Sequence, residues 1–217
     1  MKKTIGLLLV LPIIGMTSCK KNENNSSNGI YYASVNKQYV FVRDVKSISG
    51  KTDEVSMHID SILTGKINSQ VISTGSKSFD LNNDKVSDLS FEIIDLNLFN
   101  INKLPTSFDS LAVRVLPNII QILDNSTYQY ADALNTNSII NSSGNWTNLT
   151  CVLGTFGDAG QFKGKGEKYL GIRLPKDKSY LYGWIKLYCS QHNDTIRIIE
   201  YAYNQQIDSN IEAGQKE

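Results

Sequence analysis

The chain of 217 residues is 41% hydrophobic and 20% charged, a globular composition sufficient for one large domain or two small ones. Its 22 Lys and Arg face 21 Asp and Glu, a formal balance of +1. The basic surplus that nucleic-acid binding demands is missing, so nucleic acid is not an expected partner.

The N-terminus is read first because it sets the compartment. Met1-Lys2-Lys3 is a short positive start, followed by an apolar run from Ile5 to Ile14 and then Gly15-Met16-Thr17-Ser18-Cys19. About 20 apolar residues are needed to cross a bilayer, so this run predicts an export signal rather than a membrane span. Met16-Thr17-Ser18-Cys19 resembles the lipobox of bacterial lipoproteins, with Met where that motif usually has Leu. The resemblance implies cleavage before Cys19, a signal peptide over 1–18, acylation of Cys19, and a membrane contact through the N-terminal lipid. Residues 20–29, Lys-Lys-Asn-Glu-Asn-Asn-Ser-Ser-Asn-Gly, contain nothing that can join a core and read with Cys19 as a tether over 19–29. Lys20 is not the Asp that favours inner-membrane retention in gram-negative lipoproteins, so the resemblance implies a cell-envelope location at the outer membrane.

From residue 30 to 217 the pattern predicts a single β-rich domain. Short alternating segments predict strands at Tyr31–Val35, Tyr39–Val45, Val55–Ile62, Gln70–Ile72, Leu89–Leu96, Leu111–Leu116 and Ile119–Leu123. Ala131–Ile140 is expected to form the one short helix, with an irregular connection as the alternative. Tyr169–Leu174, Tyr180–Cys189 and Thr195–Tyr203, separated by polar turns, predict an antiparallel meander. In the middle strand Leu181, Ile185, Leu187 and Cys189 share the face expected to meet the core; Tyr182, Trp184, Lys186 and Tyr188 share the other. Eleven Tyr and frequent Asx-rich turns fit this reading. The fold class is all-β, an antiparallel β-sandwich or open barrel with at most one short helix.

The residues with a definable site chemistry are Asp80, Asn82, Asp84 and Asp88, at positions 1, 3, 5 and 9 of a stretch flanked by apolar strand-like segments. Val86, at position 7, can add a backbone carbonyl. Ca²⁺ takes six to eight oxygens from carboxylates, amides, carbonyls and water, which this set largely supplies. An EF-hand is excluded because Phe91 stands where position 12 needs Glu. The pattern resembles the hairpin calcium loops of integrin-type repeats, except that Lys85 stands at position 6, usually Gly. A left-handed backbone there costs a non-glycine residue about 1–2 kcal/mol. The alternative is an Asx-rich turn without an ion.

The C-terminal third carries Tyr169-Leu170-Gly171-Ile172-Arg173, Tyr182-Gly183-Trp184-Ile185-Lys186-Leu187, Tyr201-Ala202-Tyr203 and Ile211-Glu212-Ala213-Gly214 in that order, preceded by the Asp80 to Asp88 turn. This order resembles a module of secreted and surface bacterial proteins with no assigned reaction. The resemblance implies a secreted β-domain and no particular substrate.

Other candidates are weaker. With Cys19 acylated, Cys151 and Cys189 remain, and an oxidising compartment permits them to pair; two buried thiols are the alternative. His58 and His192 have no third ligand or nucleophile placed with them. The glycines at 154, 157, 160, 164 and 166 lack phosphate-loop spacing. Tyr31-Tyr32, Tyr128, Tyr130, Trp146, Tyr182, Trp184, Tyr201 and Tyr203 can stack on sugars or pair across strands, and their period of two favours pairing.

The expectation is therefore a tethered envelope lipoprotein, stabilised by structural Ca²⁺, in a non-catalytic structural or binding role. A carbohydrate-binding or adhesive module, contacting a glycan or envelope protein, is the first alternative. The second is an envelope glycan hydrolase, which needs two facing carboxylates that no local motif supplies.

Overall fold

The computed structural model describes residues 25–27, 29–40, 68–71, 76–95, 111–126, 130–155 and 160–217. Cys19, the predicted strand Val55–Ile62, His58, Tyr128 and Gly157 lie outside them.

The first sheet is built on the meander: β12 (Glu167–Lys176), β13 (Ser179–Cys189) and β14 (Thr195–Asn204). β2 (Ile30–Val40) pairs with β14, and β1 (Asn25–Ser27) pairs with the start of β2. Asn25–Ser27 of the predicted tether thus form an edge strand. β3 (Asn68–Val71) adds to β2 in parallel, the one parallel strand pairing of the sheet among the described residues. On the other side β7 (Gln121–Leu123) and β8 (Ala133–Leu134) pair with β12, and β10 (Trp146–Thr147) pairs with β7. The second sheet runs in the order β11 (Cys151–Gly154), β6 (Leu111–Pro117), β5 (Leu89–Asp95), β4 (Ser76–Phe79). A small third sheet pairs β9 (Ile139–Ile140) with β15 (Ile211–Glu212).

Neither large sheet closes into a barrel. They pack through one core in which Phe91, Val113, Val115 and Leu153 of the second meet Ile172, Ile185, Leu187 and Ile198 of the first. The predicted inner face of β13 is therefore the core face. No helix forms among the described residues, and the expected helix over Ala131–Ile140 is instead β8 and β9. The ladder partners on β12 and β15 outweigh a weak local propensity.

A register shift in β14 between Ile198 and Glu200 resets the alternation, so Ile196 and Ile198 before it and Tyr201 and Tyr203 after it all face the core.

The other face of the meander is also buried. Tyr169, Tyr182, Trp184 and Ala202 pack beneath Ile140, Ile211 and Ala213, with Trp146 and Leu134 at the margin. Trp184 Nε1 donates to the Gln215 carbonyl at 3.1 Å, and its ring meets Tyr169 edge-on at 5.3 Å. Gly214 sits at φ +92°, where a Cβ would lie 2.9 Å from Tyr169 Oη. The closing Ile-Glu-Ala-Gly is thus a lid over Trp184, and its glycine is required by backbone and by space.

Candidate cation site

The Asp80–Asp88 loop joins β4 to β5 at one end of the second sheet. Its carboxylates organise the loop through backbone donors. Asp80 Oδ1 accepts from Asp84 N at 3.2 Å, and Oδ2 accepts from Lys85 N at 2.8 Å. Asn82 Oδ1 also accepts from Asp84 N, and Asp84 Oδ1 accepts from Val86 N at 2.8 Å. Asn82 Nδ2 donates to Asp84 Oδ2 at 3.0 Å. The chain turns through φ 61° at Asn83 and 73° at Lys85, so the left-handed geometry expected of a glycine is adopted by the lysine. The Asx bonds on either side offset that strain.

Asp88 differs from the other three. Its residue is 0% exposed, whereas Asn82, Asp84 and Val86 are solvent-exposed and Asp80 is half-buried. Asp88 Oδ2 accepts from Leu81 N at 2.6 Å, while Oδ1 is buried without a hydrogen-bond partner. Burial, reinforced by the charges of Asp84 and Asp80, raises its pKa above the ordinary carboxylate value, against the pull of the Leu81 N–H and, more weakly, the Asn82 N–H. A buried, half-satisfied carboxylate facing two others is a costly arrangement in the absence of positive charge.

Leu81 ties this loop to the opposite sheet. Its side chain is buried in the core, its N–H is held by Asp88, and its carbonyl accepts from Tyr201 Oη at 3.0 Å. Asn83 Nδ2 donates to Tyr31 Oη at 3.1 Å, and Tyr31 stacks on Tyr203 with centroids 4.9 Å apart. From the other side the β6–β7 turn closes on the loop, with Asn118 N donating to the Asp88 carbonyl at 2.9 Å. Sequence spacing located the oxygen donors but missed Asn118, Tyr31 and Tyr201, which are distant in the chain, and the linking role of Leu81 within the loop itself.

Each carboxylate oxygen has two lone pairs, so the N–H bonds leave acceptor capacity for a cation. Among the described residues, however, no group of three His, Cys, Asp or Glu side chains is gathered closely enough to hold a metal as it stands. Coordination would exchange the Asn82–Asp84 side-chain bond for bonds to the ion.

The remaining candidates are placed as follows. Cys151 and Cys189 lie in opposite sheets, each fully buried, as free thiols; the disulfide that an oxidising compartment permits is not formed in this structure. Burial, with smaller contributions from Asp124 and Asp194 respectively, pushes both thiols up to about 12, so neither is a poised nucleophile. Tyr182, Trp184, Tyr201 and Tyr203 are buried in packing. Trp146 and Tyr180 hold the Arg173 guanidinium between them, at 5.0 and 3.9 Å from the ring centroids. His192 is exposed in the β13–β14 turn. A shallow cleft of about 420 Å³ is lined by Ala133, Asn135, Gly160, Gln161, Lys165 and Lys168, a lining with two lysines and no carboxylate.

No protein-family model matches the chain, and searches of curated proteins and of solved structures return no significant match.

Proposed function

We propose that the chain is a lipid-anchored cell-envelope protein whose β-domain is clasped by Ca²⁺ and serves in a non-catalytic structural or binding role. The observation that carries the clasp is the buried, unpartnered Oδ1 of Asp88 beside Asp80 and Asp84. A divalent cation neutralises the mutual repulsion of these carboxylates, and oxygen-only donors favour the hard ion Ca²⁺. Such an ion sits between the two sheets' contacts, because Leu81 links Asp88 to Tyr201. Its role is to pin the β4–β5 hairpin to the meander.

The anchor rests on the sequence pattern ending at Cys19. A sugar-stacking role finds less support, since Tyr182, Trp184, Tyr201 and Tyr203 are buried and the half-buried Trp146 and Tyr180 are occupied by Arg173.

Terbium, which replaces Ca²⁺ and luminesces when excited through nearby tyrosine, tests the clasp. Tyr31 and Tyr201 are bonded to the loop, so terbium should light up on binding and Ca²⁺ should displace it. Asp88→Asn should abolish the signal; an undiminished signal in that variant would place the ion elsewhere. For the anchor, Cys19→Ala should move the protein out of the membrane fraction, and retention there would contradict lipid attachment.

A further inference from the structure

A second buried polar cluster lies apart from the loop, where the Phe162–Lys163 segment meets the β13–β14 turn. Lys163 is 6% exposed and Asn193 is 0% exposed. Lys163 pairs as an isolated bridge with Cys189, and Gly164 N donates to the Cys189 carbonyl at 3.1 Å. Asn193 adopts φ 56° in its turn, and its carboxamide is buried in the interior. Its Nδ2 donates to the Thr155 carbonyl at 3.0 Å and to the Leu111 carbonyl at 3.2 Å. Lys163 Nζ donates to the same Thr155 carbonyl at 3.3 Å. The amine and the carboxamide nitrogen therefore converge on one oxygen. Gly154 makes the room: a Cβ there would stand 2.3 Å from Asn193 Oδ1, 3.4 Å from Asn193 Cγ and 3.0 Å from Lys163 Cβ. Asn193 Oδ1 is itself buried with no hydrogen-bond partner.

We propose that Lys163 and Asn193 are the reactants of an intramolecular amide crosslink, which staples the segment before β12 to the β13–β14 turn. Lys163 Nζ adds to Asn193 Cγ, the new C–N bond forms, and the Cγ–Nδ2 bond breaks. Nδ2 departs as ammonia, taking up the protons that Nζ releases. Counted from the lysine ammonium, the products are a neutral secondary amide and an ammonium ion. The exchange needs neither oxidant nor reductant. The Thr155 and Leu111 carbonyls hold the departing nitrogen, and Thr155 then accepts from the N–H of the new amide. The staple would give an exported domain whose two body cysteines are free thiols a covalent bond of another kind.

Intact mass of the purified full-length chain under denaturing conditions tests this directly. The protein should be lighter by one ammonia than its processed sequence requires. A tryptic digest should contain a branched peptide joining Lys163 to Asn193, and Lys163→Met should restore the unmodified mass. A wild-type chain at full mass with no branched peptide would overturn the proposal. So would an ammonia deficit that persists in Lys163→Met, which would point to succinimide formation at a site such as Asn28-Gly29.

Discussion

The Asp80–Asp88 loop and the outer face of the meander both stand out in the sequence as chemistry-bearing, yet they spend that chemistry differently. On the outer face Trp184 is sealed beneath Ile211 and Ala213, and its one polar atom is satisfied by the Gln215 carbonyl. In the loop, three carboxylates are satisfied by neighbouring donors except for one buried oxygen of Asp88. A cluster remains a candidate site only where packing leaves acceptor capacity unused. By that criterion the loop is open and the aromatic face is closed.

The largest expected effect falls on the closed side. Trp184→Ala should cost about 3–5 kcal/mol, the range for removing a buried aromatic, and the loss measured by urea unfolding should be the same with and without Ca²⁺. A loss under about 1 kcal/mol would mean that the C-terminal lid is not a packed layer.

On the open side, Asp88→Asn should remove the Ca²⁺-dependent part of the stability, about 2.7 kcal/mol at calcium one hundred times the dissociation constant. Equal calcium responses in wild type and variant would break the contrast between the two regions. Tyr201→Phe lies between them: it leaves the Leu81 carbonyl without its donor, at about 1–3 kcal/mol. It should also weaken calcium binding, since Leu81 is shared with Asp88. Unchanged calcium affinity in Tyr201→Phe would show that the clasp and the meander are uncoupled.

The smallest effect concerns acid. Glu167 is held below its ordinary pKa, chiefly by the hydrogen bond from Lys186 and further by the Lys186 and Arg197 charges. Its contribution is present above the unfolded carboxylate value and is lost as pH falls through the depressed folded value. For an exposed pair this is about 0.2–1 kcal/mol. Asp88 has the opposite sign: its folded pKa is raised, so its contribution is present below the unfolded value and lost as pH rises through the folded one. In chelator, Asp88→Asn should therefore relieve a penalty at neutral pH, while Glu167→Gln should flatten the acid limb. Chemical denaturation across a pH series separates the two.

The meander was legible because its three strands alternate cleanly between polar turns; predicted Tyr180–Cys189 is observed as Ser179–Cys189. Alternation assigns residues to opposite faces but says nothing about what covers each face. The burial of Tyr182 and Trp184 therefore depended on β9 and β15, which are too short to announce themselves. The shift in β14 was hidden for a related reason, since an extra residue leaves both halves of the strand alternating. In the loop, Asx spacing revealed Asp80, Asn82, Asp84 and Asp88 together. It could not rank them, because the burial of Asp88 depends on Leu81 and on the turn carrying Asn118. Lys163 and Asn193 are separated by the whole β12–β13 hairpin, so nothing local joins them.

The central claim is that a cation at Asp88 pins the loop to the meander. Thermal unfolding of protein freed of metal with EGTA, followed by titration of Ca²⁺, tests it most directly. The melting temperature should be lowest in chelator and rise saturably with Ca²⁺, and Asp88→Asn should hold one temperature throughout. A wild-type melting temperature indifferent to Ca²⁺ would contradict the clasp and leave the Asp80–Asp88 loop an ion-free Asx turn.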